Sequence, residues 1–108
     1  MAYLIKLTHT KPEEELWFSQ IKEPLLMNGI TTKPVLALQD FDRWTKEQEG
    51  YITSFVKLLN LTTVEAVYAF DTEENGKAWN KERKSHPFQQ AQDAYFSKSG
   101  ISTVESTY

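Results

Sequence analysis

Two apolar segments near the middle of the chain are separated by only two residues, and this spacing constrains the fold more than any other feature. The segments are YITSFVKLL (Tyr51 to Leu59) and TTVEAVYAF (Thr62 to Phe70). Both are rich in β-branched and aromatic residues, and both alternate as strands do. Because only Asn60 and Leu61 lie between them, they predict an antiparallel hairpin whose turn type stays open.

Two further strands are predicted at the ends of the chain. The segment AYLIKLTH (Ala2 to His9) places Tyr3, Ile5, Leu7 and His9 on one face. The segment ISTVESTY (Ile101 to Tyr108) follows Gly100 and forms the last predicted strand. Together with the hairpin, these segments predict four strands in one sheet.

The long connection after the first strand favours a helix. Thr10 and Glu13 have the spacing of a capping box. The following apolar residues recur every four positions, at Trp17, Ile21 and Leu25. Pro24 kinks or ends this helix, and Asn28-Gly29 is a plausible stop. The segment Ile30 to Leu36 stays open between strand, connection and helix lead-in.

Three more helical segments follow from periodicity and caps. The first runs from Ala37 to Gln48, with Leu38, Phe41 and Trp44 on its apolar side. The second is capped by Asp71 or Thr72 and runs to about Lys84. The third runs from Phe88 to about Lys98, since Pro87 disfavours a helical backbone at the residue before it.

This order is strand, helical region, strand, strand, helical region, strand. It predicts an α+β fold in which residues 1–108 form a single ferredoxin-like domain with helices on one face of an antiparallel sheet. The strands are apolar on both sides, as Leu4 opposite Tyr3 shows. We therefore expect a homodimer in which the sheet face without helices packs against a second copy.

Charge and composition exclude several classes of function. The net charge is -3, and KERK (Lys81 to Lys84) is the one basic cluster, so we expect no nucleic-acid partner. The chain has no cysteine, which excludes thiolate chemistry and fits a cytoplasmic protein. No apolar run approaches a membrane span, so no membrane partner is expected. Two histidines without matching carboxylates predict no metal site, and we expect no cofactor.

Six phenylalanines, five tyrosines and three tryptophans are many for 108 residues. They predict either a ring-filled core or an apolar pocket between sheet and helices that takes a small molecule with a polar end. Arg43, Lys57 and Arg83 are the cations available to a carboxylate ligand there. The residues predicted to line such a pocket are Tyr3, His9, Trp17, Phe41, Trp44, Phe55, Tyr68 and Trp79.

The stretch FDTEENGKAWNKERKSHPF (Phe70 to Phe88) carries Trp79 and His86 seven residues apart. On one continuous helix they would share a face, but Pro87 disturbs that geometry. The favoured interpretation is a packed Trp79 and a solvent-facing His86. The alternative is a catalytic site in which His86, Tyr68 and Asn80 are the candidate catalytic residues.

The segments GYITSFVKLL, TTVEAVYAF and DTEENGKAW together resemble the dimeric α+β barrel superfamily, which includes the antibiotic-biosynthesis monooxygenases. The resemblance covers about Ala2 to Tyr108, apart from an unusually long first crossover. It implies the ferredoxin-like fold and a homodimer. It implies no particular reaction, since members include oxygenases, isomerases and proteins of unknown role.

One subgroup of that superfamily degrades haem and uses an asparagine on the first strand, a tryptophan on a later helix and a histidine ten residues further on. Trp79 matches the tryptophan. The histidine position falls near Gln89 or Gln92, and the first strand has no asparagine. Membership of the haem-degrading subgroup is therefore rejected.

We expect a small-molecule-binding protein whose ligand is a long-chain or polycyclic apolar compound with a polar end. The first alternative is a cofactor-independent monooxygenase acting on such a compound. The second is a structural dimeric protein with no ligand. Whether the chain is an enzyme stays open at this point.

Overall fold

A computed structural model describes residues 2–108 and shows a mixed α+β protein with helices on one side of an antiparallel sheet. In chain order its elements are β1 (Tyr3–Thr10), β2 (Leu25–Met27), β3 (Ile30–Thr32), α1 (Pro34–Lys46), β4 (Tyr51–Asn60), β5 (Thr63–Phe70), α2 (Glu73–Glu82), α3 (Pro87–Ser99) and β6 (Ser102–Thr107). Short 3-10 turns at Phe18–Gln20 and Arg83–Ser85 complete it.

The main sheet has the strand order β4-β5-β1-β6, and every neighbouring pair is antiparallel. This is the strand order of the ferredoxin-like fold. The predicted hairpin is present as β4 and β5. Its turn is held by Asn60, whose side-chain oxygen accepts a hydrogen bond of 2.9 Å from the backbone N–H of Thr62.

One face of the sheet carries the helices. On β1 it presents Ile5 and Leu7, which are buried, and on β5 the opposite residues are Tyr68 and Ala66. A register shift between Tyr51 and Thr53 moves β4 by one residue, so Ser54, Val56 and Leu58 join this face. We call it the helix face, and its opposite the open face.

The helices begin and end where the sequence supplies caps. Thr72 accepts a hydrogen bond from the backbone N–H of Asn75 (3.1 Å), so Thr72 rather than Asp71 caps α2. Pro34 and Pro87 occupy the first helical position of α1 and α3. Gly100 ends α3 with φ 72°, a left-handed conformation that glycine adopts readily.

The predicted helix between Thr10 and Leu25 is wrong. The chain there makes only the turn at Phe18–Gln20 before entering β2. Phe18 is buried against Phe88 and Tyr95 of α3, at ring-centroid distances of 5.7 Å each. These contacts with a distant helix decide the conformation over the local four-residue spacing, because helix propensity is weak beside tertiary packing.

Asn28-Gly29 is a hairpin turn and not a helix stop. Both residues have positive φ, 50° and 81°, as the two central residues of a type I′ turn require. They join β2 to β3, which form a separate two-stranded sheet. The open segment Ile30 to Leu36 is thus β3 followed by the start of α1.

Candidate functional site

A cavity of about 290 Å³ lies between the helix face of the sheet, the turn at Phe18–Gln20 and helix α3. Its lining residues are mostly apolar, with a few polar side chains among them. They are Leu7, His9, Trp17, Phe18, Ser19, Gln20, Leu38, Phe41, Val56, Val64, Ala66, Tyr68, Phe88, Gln89, Gln92 and Phe96. The composition is typical of small-molecule sites.

The floor of the cavity is set by strand register. Leu7 lies opposite Ala66, and His9 lies opposite Val64, so these four side chains point to the same side. Val56 of β4 pairs with Ala66 and extends the floor to the sheet edge. Because Val56 is 69% exposed, the cavity is open on the β4 side.

The walls are aromatic. Phe88 of α3 packs against Phe18 at a ring-centroid distance of 5.7 Å and against Phe41 of α1 at 5.1 Å. One face of α3 supplies Phe88, Gln92 and Phe96, which are spaced four residues apart and therefore lie one above the other. The cavity thus combines ring surfaces with a glutamine between two of them.

His9 is the titratable group at the α3 side of the cavity. Its Nδ1 lies 2.8 Å from Oγ1 of Thr103 on β6, and its ring meets Phe96 edge-on at 5.1 Å. Burial, aided by the positive charge of Arg83, lowers the pKa of His9 from 6.5 to about 4, although Asp93 acts against this. His9 is therefore uncharged at neutral pH.

Tyr68 stands at the other end of the cavity. Its ring is stacked on Trp79 at 4.4 Å between centroids. Burial raises the pKa of Tyr68 to about 12, and the Asp42 carboxylate acts in the same direction. The hydroxyl keeps its proton at neutral pH. On β1, the strand position opposite Tyr68 is Ile5, four residues or about 13 Å from His9.

The eight residues predicted to line a pocket separate into two groups. Four of them, His9, Trp17, Phe41 and Tyr68, line this cavity. The other four lie elsewhere, in positions described next. The expectation that all eight share one site does not agree with these positions, while a ligand role for the first four stays a prediction.

Tyr3 packs on Gly76 of α2, where a methyl group would overlap its ring. Trp44 packs against Phe41 and His86 on the outer side of α1. Phe55 pairs with Val67 on the open face and is 53% exposed. The sequence placed Phe55 toward the helices, and the register shift at the start of β4 reverses that assignment.

Trp79 is a core residue with 1% exposure. Its indole N–H donates a hydrogen bond of 3.1 Å to Oγ1 of Thr45 in α1. Arg83 lies over its ring at 5.5 Å and pairs with Glu105 of β6 at 3.1 Å. This tryptophan therefore joins α1, α2 and the sheet beneath the cavity.

His86 does not pair with Trp79. It is the N-cap of α3, where its Nδ1 accepts a hydrogen bond of 3.1 Å from the backbone N–H of Phe88. It is half-buried against Trp44, so the expectation of a solvent-facing histidine is only partly met. Burial lowers its pKa, against the influence of Asp40.

Asn80 is occupied by structural hydrogen bonds. Its amide donates to Glu105 at 2.9 Å, and its carbonyl accepts from Arg83 at 2.7 Å. Of the three candidate catalytic residues, only Tyr68 lines the cavity, and the structure does not bring the three together.

Sequence reasoning missed the contribution of α3. The pattern Phe88, Gln92, Phe96 was available as a signal, because a polar residue midway between two apolar ones at four-residue spacing faces the core. Phe18 was missed for a different reason, since the predicted helix assigned its neighbour Trp17 to the apolar side instead.

Two observations concern metals and membranes. Within residues 2–108 no three histidine or acidic side chains cluster in a way that could hold a metal ion. No helix in the same part of the chain is long and apolar enough to cross a membrane.

Comparison with solved structures shows the same arrangement in other proteins. A conserved protein from Methanosarcina mazei has a TM-score of 0.60 and 12% identity, covering 99% of this chain and 90% of its own. A candidate antibiotic biosynthesis monooxygenase from Deinococcus radiodurans has a TM-score of 0.56 and 9% identity, with coverages of 98% and 89%. This chain has their fold.

A third similar structure is SnoaB, a cofactor-independent oxygenase from Streptomyces nogalater, with a TM-score of 0.51, 5% identity and coverages of 98% and 90%. At such low identities the likeness concerns architecture, and activity belongs to those proteins alone. It shows the fold alone, and that fold is the ferredoxin-like one that the sequence predicts. No known protein family and no curated protein matches the sequence.

Proposed function

We propose that this protein binds a small, largely apolar molecule with a polar end in the cavity between sheet and helices. The observation that carries the proposal is the cavity itself, about 290 Å³ in volume and walled by aromatic rings. This volume is near the lower end of the range of ligand pockets, about 300–1,000 Å³. It suits a compact polycyclic compound better than a long extended chain.

The experiment is native mass spectrometry of the purified protein, followed by extraction of any released compound. We expect a discrete adduct on the wild-type chain. Ala66→Phe adds a ring to the cavity floor and should abolish the adduct. The same substitution at the exposed Ala94 of α3 is the control and should leave it in place. Absence of any adduct from wild type, together with no binding of added polycyclic compounds, would contradict the proposal.

A second function is supported by the fold shared with an oxygenase and a candidate monooxygenase. In this function the cavity holds an electron-rich phenolic substrate while molecular oxygen reacts with it. One oxygen atom enters the substrate and the other leaves as water, with the electrons supplied by the substrate. Of the three candidate catalytic residues, Tyr68 is the one that lines the cavity, so it is the one that would contact such a substrate.

Oxygen consumption in the presence of phenolic polycyclic compounds distinguishes turnover from simple binding. Under the oxygenase hypothesis Tyr68→Phe should slow oxygen uptake while retaining most of the binding, because the ring stays and only the hydroxyl is lost. If compounds bind without oxygen uptake, the protein is a binding protein. If nothing binds or reacts, the alternative of a structural protein with no ligand is favoured.

We further propose that two copies associate through the open face. Val104 and Tyr108 on this face are 66% and 64% exposed, and Phe55 adds a third exposed apolar side chain. The face also pairs opposite charges, since Lys6 and Glu65 both border the same shallow depression. A second copy related by a two-fold axis would cover all of these groups.

A further inference from the structure

We propose that this cavity selects an uncharged ligand, whose polar group is held by the side chains of His9, Gln89 and Gln92. The inference rests on the proposed binding function and narrows it to one chemical class: alcohols, phenols, ketones or amides on an apolar ring system. Carboxylates, phosphates and ammonium compounds are excluded.

The first argument is the charge of the lining. None of the residues that line the cavity within residues 2–108 is a lysine, arginine, aspartate or glutamate. A charged ligand would leave water without meeting an opposite charge, which costs far more than the burial of a neutral polar group.

Each of the three cations that the sequence offered to a carboxylate ligand lies outside the cavity lining. Arg83 is bound to Glu105 and Asn80 below Trp79. Arg43 pairs with Asp40 at 2.7 Å on the exposed side of α1. Lys57 pairs in register with Glu65 on the open face. The cations that the sequence offered for a carboxylate ligand therefore do not line the cavity.

His9 does not supply a positive charge either. Its position between Phe96 and Thr103 partly buries it, and the pKa of about 4 keeps the ring neutral at pH 7. Because Nδ1 is engaged with Thr103, Nε2 is the nitrogen left for a ligand. A neutral imidazole offers one donor or one acceptor there, which suits a hydroxyl or a carbonyl.

The three polar side chains all line the cavity, two of them on α3 and the third against Phe96 of the same helix. His9 contacts Phe96, Phe96 lies one helical turn after Gln92, and Gln92 lies three residues after Gln89. The Gln89 amide nitrogen donates to Asp93 at 2.8 Å, which fixes the amide and leaves its carbonyl oxygen as an acceptor. Gln92 has both a donor and an acceptor available. Together these side chains offer a ligand hydroxyl or carbonyl both donors and acceptors.

The test uses two fluorescent probes with the same rings, 9-anthracenemethanol and 9-anthracenecarboxylate, titrated at pH 7.5. We expect the alcohol to bind wild type at least about tenfold more tightly than the carboxylate, equivalent to about 1.4 kcal/mol. Gln92→Arg places a cation in the cavity and should reverse this preference. Gln90→Arg adds the same charge to the exposed side of α3 and is the matched control.

Each outcome is decisive. Equal or tighter binding of the carboxylate by wild type overturns the inference and leaves the proposed binding function standing. Binding of neither probe overturns the inference, and together with the absence of an adduct on wild type it also overturns the proposed binding function. If Gln92→Arg is shown by circular dichroism to be misfolded, Gln92→Lys replaces it. A folded variant with an unchanged preference overturns the assignment of Gln92 to the polar group.

Discussion

The two histidines are each held through Nδ1, His9 by Thr103 and His86 by the backbone N–H of Phe88. Both lie partly out of water, and burial lowers the pKa of both. A lowered pKa means that the folded protein resists protonation, whereas the unfolded chain takes up the proton near pH 6.5. The free energy of unfolding therefore has its full value above pH 6.5, where both histidines are neutral in either state. It decreases as the pH falls, because only the unfolded chain takes up the protons readily.

For His9 the loss extends from pH 6.5 to about 4. We expect the free energy of unfolding to fall by about 2 kcal/mol between pH 7.5 and 4.5 through this residue alone, allowing for its partial exposure. The measurement is urea unfolding of wild type and His9→Gln at both pH values. The variant should show a smaller decrease, and His86→Gln separates the contribution of the second histidine. Equal decreases in wild type and His9→Gln would contradict this explanation.

Individual residues of the site were only partly predictable. Strand alternation placed Tyr3, Ile5, Leu7 and His9 correctly on one face, because side chains on a strand repeat every two residues. Whether a ring on that face meets a cavity or a helix depends on packing. Tyr3 packs on Gly76 of α2, whereas Tyr68 stacks on Trp79 and also lines the cavity, and nothing in the local sequence distinguishes the two tyrosines.

Among the secondary-structure elements, α2 approaches the sheet closely at Gly76, which packs on the Tyr3 ring. A methyl group at this position would overlap the ring of Tyr3 on β1. Glycine inside a helix usually costs about 0.5–1 kcal/mol of stability relative to alanine. At this position alanine cannot recover that cost, because its methyl group would overlap the Tyr3 ring. The sequence alone shows the glycine but not its neighbour.

We expect Gly76→Ala to lower stability by about 1–3 kcal/mol, opposite in sign to the usual effect of alanine in a helix. In a Tyr3→Ala background the same change should become neutral or stabilising, because the overlapping ring is gone. Thermal unfolding of the four chains in this double-mutant cycle measures the coupling. A similar effect of Gly76→Ala in both backgrounds would contradict the proposed contact.

Prediction of the elements succeeded where local signals agreed with the packing. The hairpin of β4 and β5 and the helices α2 and α3 were found within a few residues. The prediction for the segment from Thr10 to Met27 failed because this segment packs against residues that are far away in the sequence. The hydroxyl of Tyr95, for example, donates a hydrogen bond of 2.6 Å to the carbonyl of Leu16, 79 positions away. Capping-box spacing carries no information about such a contact.

For the whole molecule, the sheet with helices on one side leaves the open face without cover from residues 2–108. The ferredoxin-like architecture was predictable because element order and connection lengths leave few alternatives. The assembly was predictable only as a hypothesis, since an apolar face indicates that something covers it and not what does so.

We expect light scattering after size exclusion to give a mass twice that of the chain. Val104→Asp places a charge among the exposed apolar side chains of the open face, on the edge strand β6, and should shift the protein to monomer. If the chain were a monomer, Val104→Asp at this exposed position should change the free energy of unfolding by no more than about 0.5 kcal/mol. Gln90→Asp, on the exposed side of α3, is the control and should remain dimeric. A monomeric wild type would contradict the proposed association.

The segment that covers the cavity has a further consequence for how this architecture diversifies. Trp17, Phe18 and the two residues after them belong to a stretch of chain outside the main sheet, while the floor belongs to the sheet itself. Insertions or replacements in this stretch alter the shape of the cavity without disturbing strand pairing. The cavity can therefore diversify through residues 17–20 alone, while the open face on the other side of the sheet stays unchanged.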